Sequence, residues 1–389
     1  MSINGQAYVV GAYEHPLRKT PDKTIPQLHA EVIDGALKDA GLQLEDIDGY
    51  FIGTDSPGIG GSSMAEYLGL KPRYIDTTST GGSGYIIAAG HAAAAIAMGK
   101  CSIALISLAG RPRTGVELQG ELPYFDDPNV PEVPYEKPFG LNIVNAYALA
   151  ARRHMHEFGT TSEQLAWVKV AASHHAQHNP NAMLPQVVTV EDVLSSAMIA
   201  DPLHKLDCCI VSDGGGALIV TTPEIARSLK RPLIKILGSG EAYKTLNGGH
   251  VDLTYSAGRA SGAAAFEEAG VTAADIDYAS IYDSFTITVL MQLEDLGFCE
   301  RGKGGPFVSD GGLISGVGKL PVNTDGGGLC NNHPAHRGGM VKMIEAVRQL
   351  RGEAASAVQV PDCRLGLVHG TGGFLGTRHI GGTLILERE

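Results

Sequence analysis

The chain has 389 residues, of which 43% are hydrophobic and 19% charged, and it carries a formal net charge of −12. This composition is that of a core-forming protein with one large domain or two to three ordinary ones, and it excludes the disordered and fibrous classes. Because no basic block offsets the negative charge, the sequence argues against binding to nucleic acids or anionic membranes.

The beginning of the chain and its cysteines bear on its location in the cell. Met1-Ser-Ile-Asn-Gly lacks the charged-then-apolar pattern of a secretory signal, and the longest apolar stretch, Ile86–Met98, is too short to span a bilayer. The six cysteines form no CxxC pair and no regular framework. Such cysteines are typical of reduced thiols, so we expect a cytoplasmic protein.

A repeated sequence is the first sign of internal symmetry. Ala36–Asp48 and Ala265–Asp277 each contain a helix end, a glycine and an Asp-Ile-Asp step before an apolar strand. A second pair follows in the same order, because Gly81–Leu108 and Gly338–His369 each begin with a glycine-rich turn and continue as a helix and a strand. Two repeats in one order indicate two similar α/β halves rather than coincidence.

The segment at about 111–206 differs in character from both copies. It opens with a proline-rich stretch that we expect to be irregular. Helical patterns follow, first over Asn142–Glu157 and then from a predicted capping box at Thr160–Glu163. We therefore predict an α/β fold in which two similar halves, 1–225 and 226–389, pack as layered sheets and helices, with 111–206 inserted in the first half as a loop domain.

A glycine-rich turn in the first half precedes the apolar helix. Asp76–Gly84 has the sequence Asp-Thr-Thr-Ser-Thr-Gly-Gly-Ser-Gly. Backbone amides at the start of a helix are suited to an oxyanion, and those around Thr78 and Ser79 precede the Gly84–Met98 helix. An alcohol without a paired base is a poor nucleophile at neutral pH, and a Ser79–His333 dyad is the alternative in which serine acquires one.

Tyr282 and His333 in the second half have side chains that are able to exchange protons, and each also has a structural alternative. Tyr282 follows a predicted strand, where an aromatic side chain often only packs, but a phenol, with a pKa of about 10, also donates hydrogen bonds or exchanges a proton. His333 precedes a proline, and a structural role at a helix end is the alternative to catalysis. We interpret the neighbouring Asp283 as a turn or helix-cap residue.

The segment Asn323–Gly339 resembles the motif that presents the catalytic histidine of thiolases. The Ser212–Ala217 run and the 111–206 segment are similar to the same family, so the resemblance covers essentially the whole chain and implies a thiolase-like fold. Tyr-Asp-Ser-Phe at 282–285 is typical of the sterol-carrier-type branch. The motif residues at the family's spacing are Asn323, Gly326, Gly327, His333, Pro334 and Gly339.

Both cysteines of thiolase catalysis are absent from the matching positions, because Thr78 stands at the nucleophile and Gly370 at the second cysteine. The resemblance implies that His333 orients the thioester oxygen. It also implies that Tyr282 takes the place of the Asn or His that helps to hold this oxygen. The other residues expected to bind the oxyanion or the substrate, through backbone or side chain, are Ser79, Gly372, His369, Asn332 and His336.

The absence of both thiols predicts a reaction without an acyl-enzyme. Retro-aldol cleavage of a 3-hydroxyacyl-CoA, which gives a shorter acyl-CoA and an aldehyde or ketone, needs a base and donors that hold the enolate. The chain is similar in this respect to sterol side-chain aldolases, which are thiolase-like, lack the cysteine and rely on tyrosine. We predict an acyl-CoA aldolase in which Tyr282 exchanges the β-oxygen proton and His333 stabilises the enolate.

Three alternatives remain open at this stage. The first is a thiolase-type acyltransferase that uses another nucleophile or direct attack by CoA. The second is a non-catalytic subunit that binds acyl-CoA or lipid and has kept only the fold. A ketosynthase-like condensing enzyme is the third, and the absence of cysteine counts against it as well.

Partners and cofactors follow in part from the resemblance. It implies a small zinc-ribbon/OB-fold partner protein that completes the acyl-CoA channel. We expect no cofactor beyond the CoA of the substrate and no metal, since His174 and His178 have the spacing of a helical metal pair without an acidic third ligand. We also expect a homodimer, formed through the strand near Cys101–Leu108 and the alanine-rich helix before it.

Overall fold

The structure is a computed structural model that describes residues 2–53, 56–115, 129, 133–245, 250–334 and 338–389, with only the backbone at 133 and 137. Its strands are β1 (Tyr8–Glu14), β2 (Gly49–Gly53), β3 (Tyr74–Thr78), β4 (Ile103–Gly110), β5 (Met198–Ala200), β6 (Leu203–His204), β7 (Gly214–Thr221), β8 (Ile234–Lys244), β9 (Tyr278–Ile281), β10 (Leu365–Gly372) and β11 (His379–Arg388). Its helices are α1 (Ile25–Ala40), α2 (Gly61–Leu68), α3 (Gly84–Ala97), α4 (Val133–Glu136), α5 (Ile143–Phe158), α6 (Ser162–Ala176), α7 (Val190–Ser195), α8 (Pro223–Ser228), α9 (Gly258–Ala269), α10 (Thr286–Asp295), α11 (Gly304–Val308), α12 (Gly327–Cys330) and α13 (Gly339–Arg351).

Local sequence accounts for where the helices end. α1 and α9 both end at a glycine in the left-handed region, Gly41 at φ 73° and Gly270 at φ 72°, which confirms the predicted glycine caps. The predicted capping box of α6 lies one residue later than expected. Thr161, not Thr160, has the extended backbone of an N-cap, and its hydroxyl accepts a hydrogen bond from the amide of Gln164.

Nine strands form one mixed sheet in the order β3-β2-β4-β7-β1-β8-β11-β10-β9. Within it, β2-β4-β7-β1 and β9-β10-β11-β8 have the same pattern, because in each run the first two strands are parallel and the next two neighbours antiparallel. This symmetry confirms the two similar α/β halves. The halves are continuous through β1 and β8, which pair at Tyr8↔Lys235 and Val9↔Ile234. The boundary between 225 and 226 stays a prediction.

A close approach of helix to strand recurs at equivalent places in the two halves. A Cβ atom on Gly11 of β1 would lie 2.5 Å from the carbonyl oxygen of Ala36 in α1. A Cβ atom on Gly238 of β8 would lie 2.3 Å from the carbonyl oxygen of Ala265 in α9. Ala36 and Ala265 are the first residues of the two repeated sequences, so the repeat includes the glycine contact that lets each helix lie flat on its sheet.

The alanine-rich helix α3 lies inside the molecule. It packs with α13 between the two halves of the sheet, whereas α1 and α9 cover the outer faces. The predicted dimer contact near Cys101–Leu108 is therefore wrong. β4 already pairs with β2 on one side and β7 on the other, and α3 is covered by its own chain. Among the described strands, β3 forms the edge of the sheet in the first half, and its Ile75 is 40% exposed.

The inserted segment packs against the second half. Tyr147 on α5 and Ala172 on α6 share a hydrophobic cluster with Phe285 and Leu329. This contact brings α5 and α6 beside the end of β9 and beside α12. Most of the predicted proline-rich loop lies outside the described residues. Of its prolines, Pro134 and Pro138 are described.

No helix in the part of the chain that the structure describes combines the length and apolar character needed to cross a membrane.

We predict that Gly238→Ala destabilises the protein by about 1–3 kcal/mol, because the added methyl group would overlap backbone atoms of α9. Gly366→Ala in β10 is the matched control, since its nearest neighbour would be a side-chain atom of Leu350 at 3.4 Å. The measurement is the urea midpoint of unfolding for the two variants and the unmodified chain. Equal midpoints for Gly238→Ala and Gly366→Ala would contradict the close approach.

Candidate active site

Tyr282 and His333 meet in a buried contact. The phenol oxygen of Tyr282 lies 2.9 Å from Nε2 of His333, and the two rings meet edge to face with centroids 5.4 Å apart. Tyr282 is 5% exposed and His333 is 7% exposed. The structure therefore brings together the two residues for which the sequence predicted acid–base roles, although they are 51 positions apart.

Glycines leave room for this pair. A Cβ atom on Gly82 would lie 2.4 Å from Cζ of Tyr282, and one on Gly338 would lie 3.0 Å from the Tyr282 ring and 3.1 Å from the His333 ring. Gly82 belongs to the turn before α3, and Gly338 immediately precedes α13. Both glycine-rich turns of the repeat thus converge on the same two rings, which explains why these positions lack side chains.

The environment of Tyr282 keeps its phenol neutral. Burial is the main cause that raises its pKa well above 10, and the nearby Cys209, Tyr147 and Asp283 raise the pKa further. A backbone hydrogen bond from Gly338 acts in the opposite direction. A neutral phenol at hydrogen-bond distance from an imidazole nitrogen forms a pair that passes a proton when a substrate supplies or removes one.

A chain of hydrogen bonds fixes the backbone of His333. The amide of His333 donates to the hydroxyl of Ser212 at 2.8 Å, and this hydroxyl donates to Oδ1 of Asn332 at 2.6 Å. The side-chain amide of Asn332 then donates to Oε1 of Glu14 at 2.8 Å. Each donor points toward the Glu14 carboxylate. The side chain of Asn332, predicted to bind substrate, is therefore engaged in this support of His333.

Two arginines balance the buried charge of Glu14. Arg18 donates to one carboxylate oxygen at 2.8 Å, and Arg348 lies 3.1 Å from the other. Burial alone would raise the pKa of Glu14, but Arg18 and Arg348, with the Asn332 hydrogen bond, hold it below its usual value. Glu14 is thus ionised at neutral pH, and the hydrogen-bond chain from His333 ends at a fixed negative charge.

Asp283 acts on the helix that precedes His333. Its carboxylate accepts hydrogen bonds from the amides of Gly328 at 2.8 Å and Leu329 at 3.2 Å, in the first turn of α12. Lys342 of α13 lies 2.5 Å from the same carboxylate, and both side chains are buried. Asp283 is thus not the cap of the helix that follows it, because the N-cap of α10 is Phe285, but its carboxylate caps the distant α12.

Asn323 ties the histidine loop to the strand before Tyr282. Its Oδ1 accepts the amide of Ile281 and its Nδ2 donates to the carbonyl of Ile281, each at 2.8 Å. The carbonyl of Asn323 lies 3.2 Å from Nδ1 of His175, whose Nε2 accepts the amide of Ser315 at 2.9 Å. Asn323 therefore supports the site without itself being an acid or base.

The end of β10 meets the turn after β3 beside Tyr282. Cβ atoms on Gly370 and Gly372 would lie 3.0 Å from the carbonyl oxygen of Gly82 and 1.8 Å from that of Thr80. Thr78 at the end of β3 is half-buried and Ser79 is exposed. Nε2 of His333 contacts Tyr282 rather than Ser79.

His369, another predicted residue, is not part of the Tyr282–His333 contact. His369 turns to the face of β10 opposite Gly370, where its Nδ1 lies 2.8 Å from the hydroxyl of Thr383 and its ring backs onto Gly258. Burial lowers the pKa of His369 to about 3, so it stays neutral. Its backbone carbonyl accepts the amide of Tyr282 at 2.9 Å. His336 lies outside the described residues.

Sequence patterns alone do not identify Glu14, Ser212, His175 or Tyr147 as parts of the site. Ser212 begins a run that resembles the family, which is a signal that it lies near the site. Glu14 and His175 carry no such signal, because their roles depend on partners 140 or more positions away. Within the described ranges, no group of three or more His, Cys, Asp or Glu side chains is arranged to hold a metal ion.

Comparisons with known proteins agree with this architecture. Residues 240–388 match a family model described as thiolase C-terminal domain-like. The chain is 33% identical to an acetyl-CoA acetyltransferase of Methanothermobacter thermautotrophicus, over 95% of this chain and 97% of the relative. It is 35% identical to a steroid side-chain-cleaving aldolase of Thermomonospora curvata, over 91% of this chain and 92% of the relative.

A solved structure gives the same picture in three dimensions. The structure of an Ltp2-ChsH2(DUF35) aldolase superposes with a TM-score of 0.89 at 33% identity, covering 99% of this chain and 98% of that one. These similarities extend through both halves and the inserted segment, well beyond the histidine motif alone. The chain belongs to the thiolase superfamily.

Proposed function

We propose that the protein is an acyl-CoA aldolase that cleaves a 3-hydroxyacyl-CoA into a shorter acyl-CoA and an aldehyde or ketone. The observation that carries the proposal is the buried Tyr282–His333 pair, set against a turn in which Thr78 takes the position of the family's nucleophilic cysteine. Such a pair supplies acid–base chemistry and no thiolate.

The relatives include both an acyltransferase and an aldolase, so the chemistry of the site decides between them. Acyl transfer by the family's route needs a reactive thiolate. Cys209 interacts with Tyr282, and Cys330 lies in α12 just before His333. Burial raises the pKa of both thiols. A thiol that stays neutral is a poor nucleophile, which favours the aldolase.

The first chemical step follows from the raised pKa of Tyr282. A neutral phenol accepts the proton of the substrate β-hydroxyl only if it passes its own proton to Nε2 of His333. The Cα–Cβ bond then breaks, the β-carbon becomes a carbonyl and the electron pair moves into the enolate of the thioester. His333 becomes an imidazolium at the same time as negative charge develops on the enolate oxygen. The imidazolium and nearby backbone amides stabilise that charge.

The substrate and the partners are further parts of this proposal. Similarity to the steroid side-chain-cleaving aldolase of Thermomonospora supports a steroid side chain as the acyl group. Similarity to the Ltp2-ChsH2(DUF35) aldolase supports a small partner of the DUF35 class, and the family resemblance suggests a zinc-ribbon/OB-fold form for it. We also propose a cytoplasmic homodimer that uses the open edge of β3 rather than β4.

We predict that the products identify the reaction. The chain, together with its proposed partner, is incubated with a steroid 3-hydroxyacyl-CoA or the matching 3-ketoacyl-CoA, with and without free CoA, and the products are measured by mass spectrometry. We expect a carbonyl product and a shortened acyl-CoA from the 3-hydroxy compound alone, with no consumption of CoA. CoA-dependent cleavage of the 3-keto compound, with an acyl adduct on a cysteine or Ser79, would instead establish an acyltransferase.

The Tyr282–His333 pair gives a quantitative prediction. Tyr282→Phe keeps the ring but removes the hydroxyl, and kcat should fall by about 10²–10⁴-fold. His333→Ala should lower kcat by about 10²–10³-fold. Because both groups act on one transition state, the double variant should lose less than the product of the two factors. A Tyr282→Phe enzyme with the kcat of the unmodified chain would remove tyrosine from the mechanism.

Ser212 should act as a positioning residue. Ser212→Ala removes the acceptor of the His333 amide and interrupts the hydrogen-bond chain to Glu14. We therefore expect kcat to fall on the order of tenfold while KM changes little. This loss is smaller than the roughly 10²-fold loss caused by misplacing a catalytic group by about 1 Å. Ser212→Thr retains the hydroxyl and is the control that should recover most of the activity. Equal kcat values for the alanine and threonine variants would show that the hydrogen bond does not matter.

A further inference from the structure

The proposed cleavage requires two proton transfers, and the Tyr282–His333 pair accounts for one. Loss of the β-hydroxyl proton leaves an enolate, which must gain a proton at Cα before the shortened acyl-CoA can leave. The end of β10, which lies beside Tyr282, reads Gly370-Thr371-Gly372-Gly373 and carries no side chain of ordinary acid–base strength. This proton can therefore come from the imidazolium of His333 or from an acid on another element of the structure.

Tyr147 of the inserted segment reaches this strand end. It lies on α5, is 3% exposed, and its phenol donates to the carbonyl oxygen of Gly373 across 3.3 Å. Its ring packs against Phe285 with centroids 4.7 Å apart. The ring is thus held by packing, while the hydroxyl makes a long hydrogen bond to backbone and lies near the hydroxyl groups of Thr371 and Ser284. A hydroxyl anchored in this way is able to exchange its partner for a substrate atom.

Tyr147 and Tyr282 lie on either side of one small region. A Cβ atom on Gly82 would be 2.4 Å from both the carbonyl oxygen of Thr371 and the ring of Tyr282, so the Tyr282 ring adjoins the strand end that Tyr147 contacts. Cys209 interacts electrostatically with both tyrosines and is only half-buried. Tyr147 also acts electrostatically on Tyr282, so the two phenols are near neighbours, with Cys209 close to both.

The protonation state of Tyr147 suits an acid. Burial raises its pKa to about 12, and the hydroxyl groups of Thr371 and Ser284 lower it in part. The phenol is accordingly protonated at neutral pH. The two hydroxyl groups are positioned to stabilise the phenolate that remains after a proton has been given up.

Building on the proposed aldol cleavage, we propose that Tyr147 is the catalytic acid that protonates Cα of the enolate. The O–H bond of Tyr147 breaks and a C–H bond forms at Cα, while the enolate double bond becomes the thioester carbonyl. The proton that entered at Tyr282 then returns from His333 to the Tyr147 phenolate through solvent. No proton is gained or lost overall, and the β-hydroxyl proton is formally transferred to Cα.

Deuterium exchange separates the two tyrosines. In D₂O, an enzyme that forms and protonates the enolate exchanges the α-hydrogens of a product-like thioester without any cleavage, and propionyl-CoA is the probe. We expect Tyr147→Phe to slow this exchange by about 10²–10⁴-fold, because the acid acting at Cα has been removed. Tyr282→Phe should retain exchange within about tenfold, since the probe has no β-hydroxyl, and yet lose cleavage.

Tyr135→Phe provides the matched control. Tyr135 also lies in the inserted segment but is 76% exposed, so both exchange and cleavage should be unaffected. Tyr147→Phe keeps the aromatic contact with Phe285, and its thermal midpoint shows whether the fold is retained. Exchange at the unmodified rate in folded Tyr147→Phe would overturn the assignment of Tyr147 alone. An unmodified enzyme that neither cleaves a 3-hydroxyacyl-CoA nor exchanges propionyl-CoA would overturn the aldolase proposal and this inference with it.

Discussion

The side-chain amide of Asn323 is the contact on which the geometry of the site depends. Asn323 has a left-handed backbone at φ 54°, a conformation that asparagine tolerates better than most residues. Its amide pairs with both backbone groups of Ile281, the residue before Tyr282, and the loop that follows Asn323 leads to His333. One side chain thereby sets the distance between the strand that supplies the tyrosine and the loop that supplies the histidine. Without it, two buried backbone groups would lack partners.

Buried charges make this frame rigid as a unit. Glu14 is held by two arginines and Asp283 by Lys342, and removing one partner from such a pair leaves an uncompensated charge in the interior. Asp325 and Glu345 add two further buried carboxyl groups. Burial raises the pKa of Asp325, and burial with repulsion from Asp325 raises the pKa of Glu345 to about 7, so Glu345 retains a proton into the neutral range. The loop that carries His333 is therefore held by buried charged side chains whose positions depend on one another.

Much of this structure is predictable from the sequence where a feature depends on neighbouring residues. The glycine caps are predictable because Gly41 and Gly270 act within one turn of the helices that they end. The symmetry of the halves is predictable because the repeated sequences show it directly. The role of Asn332 is not predictable in this way, since its acceptor Glu14 is 318 positions distant. The error in the dimer contact has a similar origin. An apolar strand such as β4 looks the same whether it is central or at an edge, and only the order of the strands distinguishes the two.

The environment that disfavours a thiolate also explains why this frame suits aldol chemistry. Acyl transfer places a negative charge on a protein group before the substrate reacts, and burial raises the pKa of Cys209 and Cys330, which opposes that charge. The same burial keeps the phenols of Tyr282 and Tyr147 protonated. In a retro-aldol cleavage the negative charge develops on the substrate enolate, and neutral donors are the groups needed around it. A site that holds its acids neutral and has a histidine to accept a proton therefore favours carbon–carbon cleavage over acyl transfer.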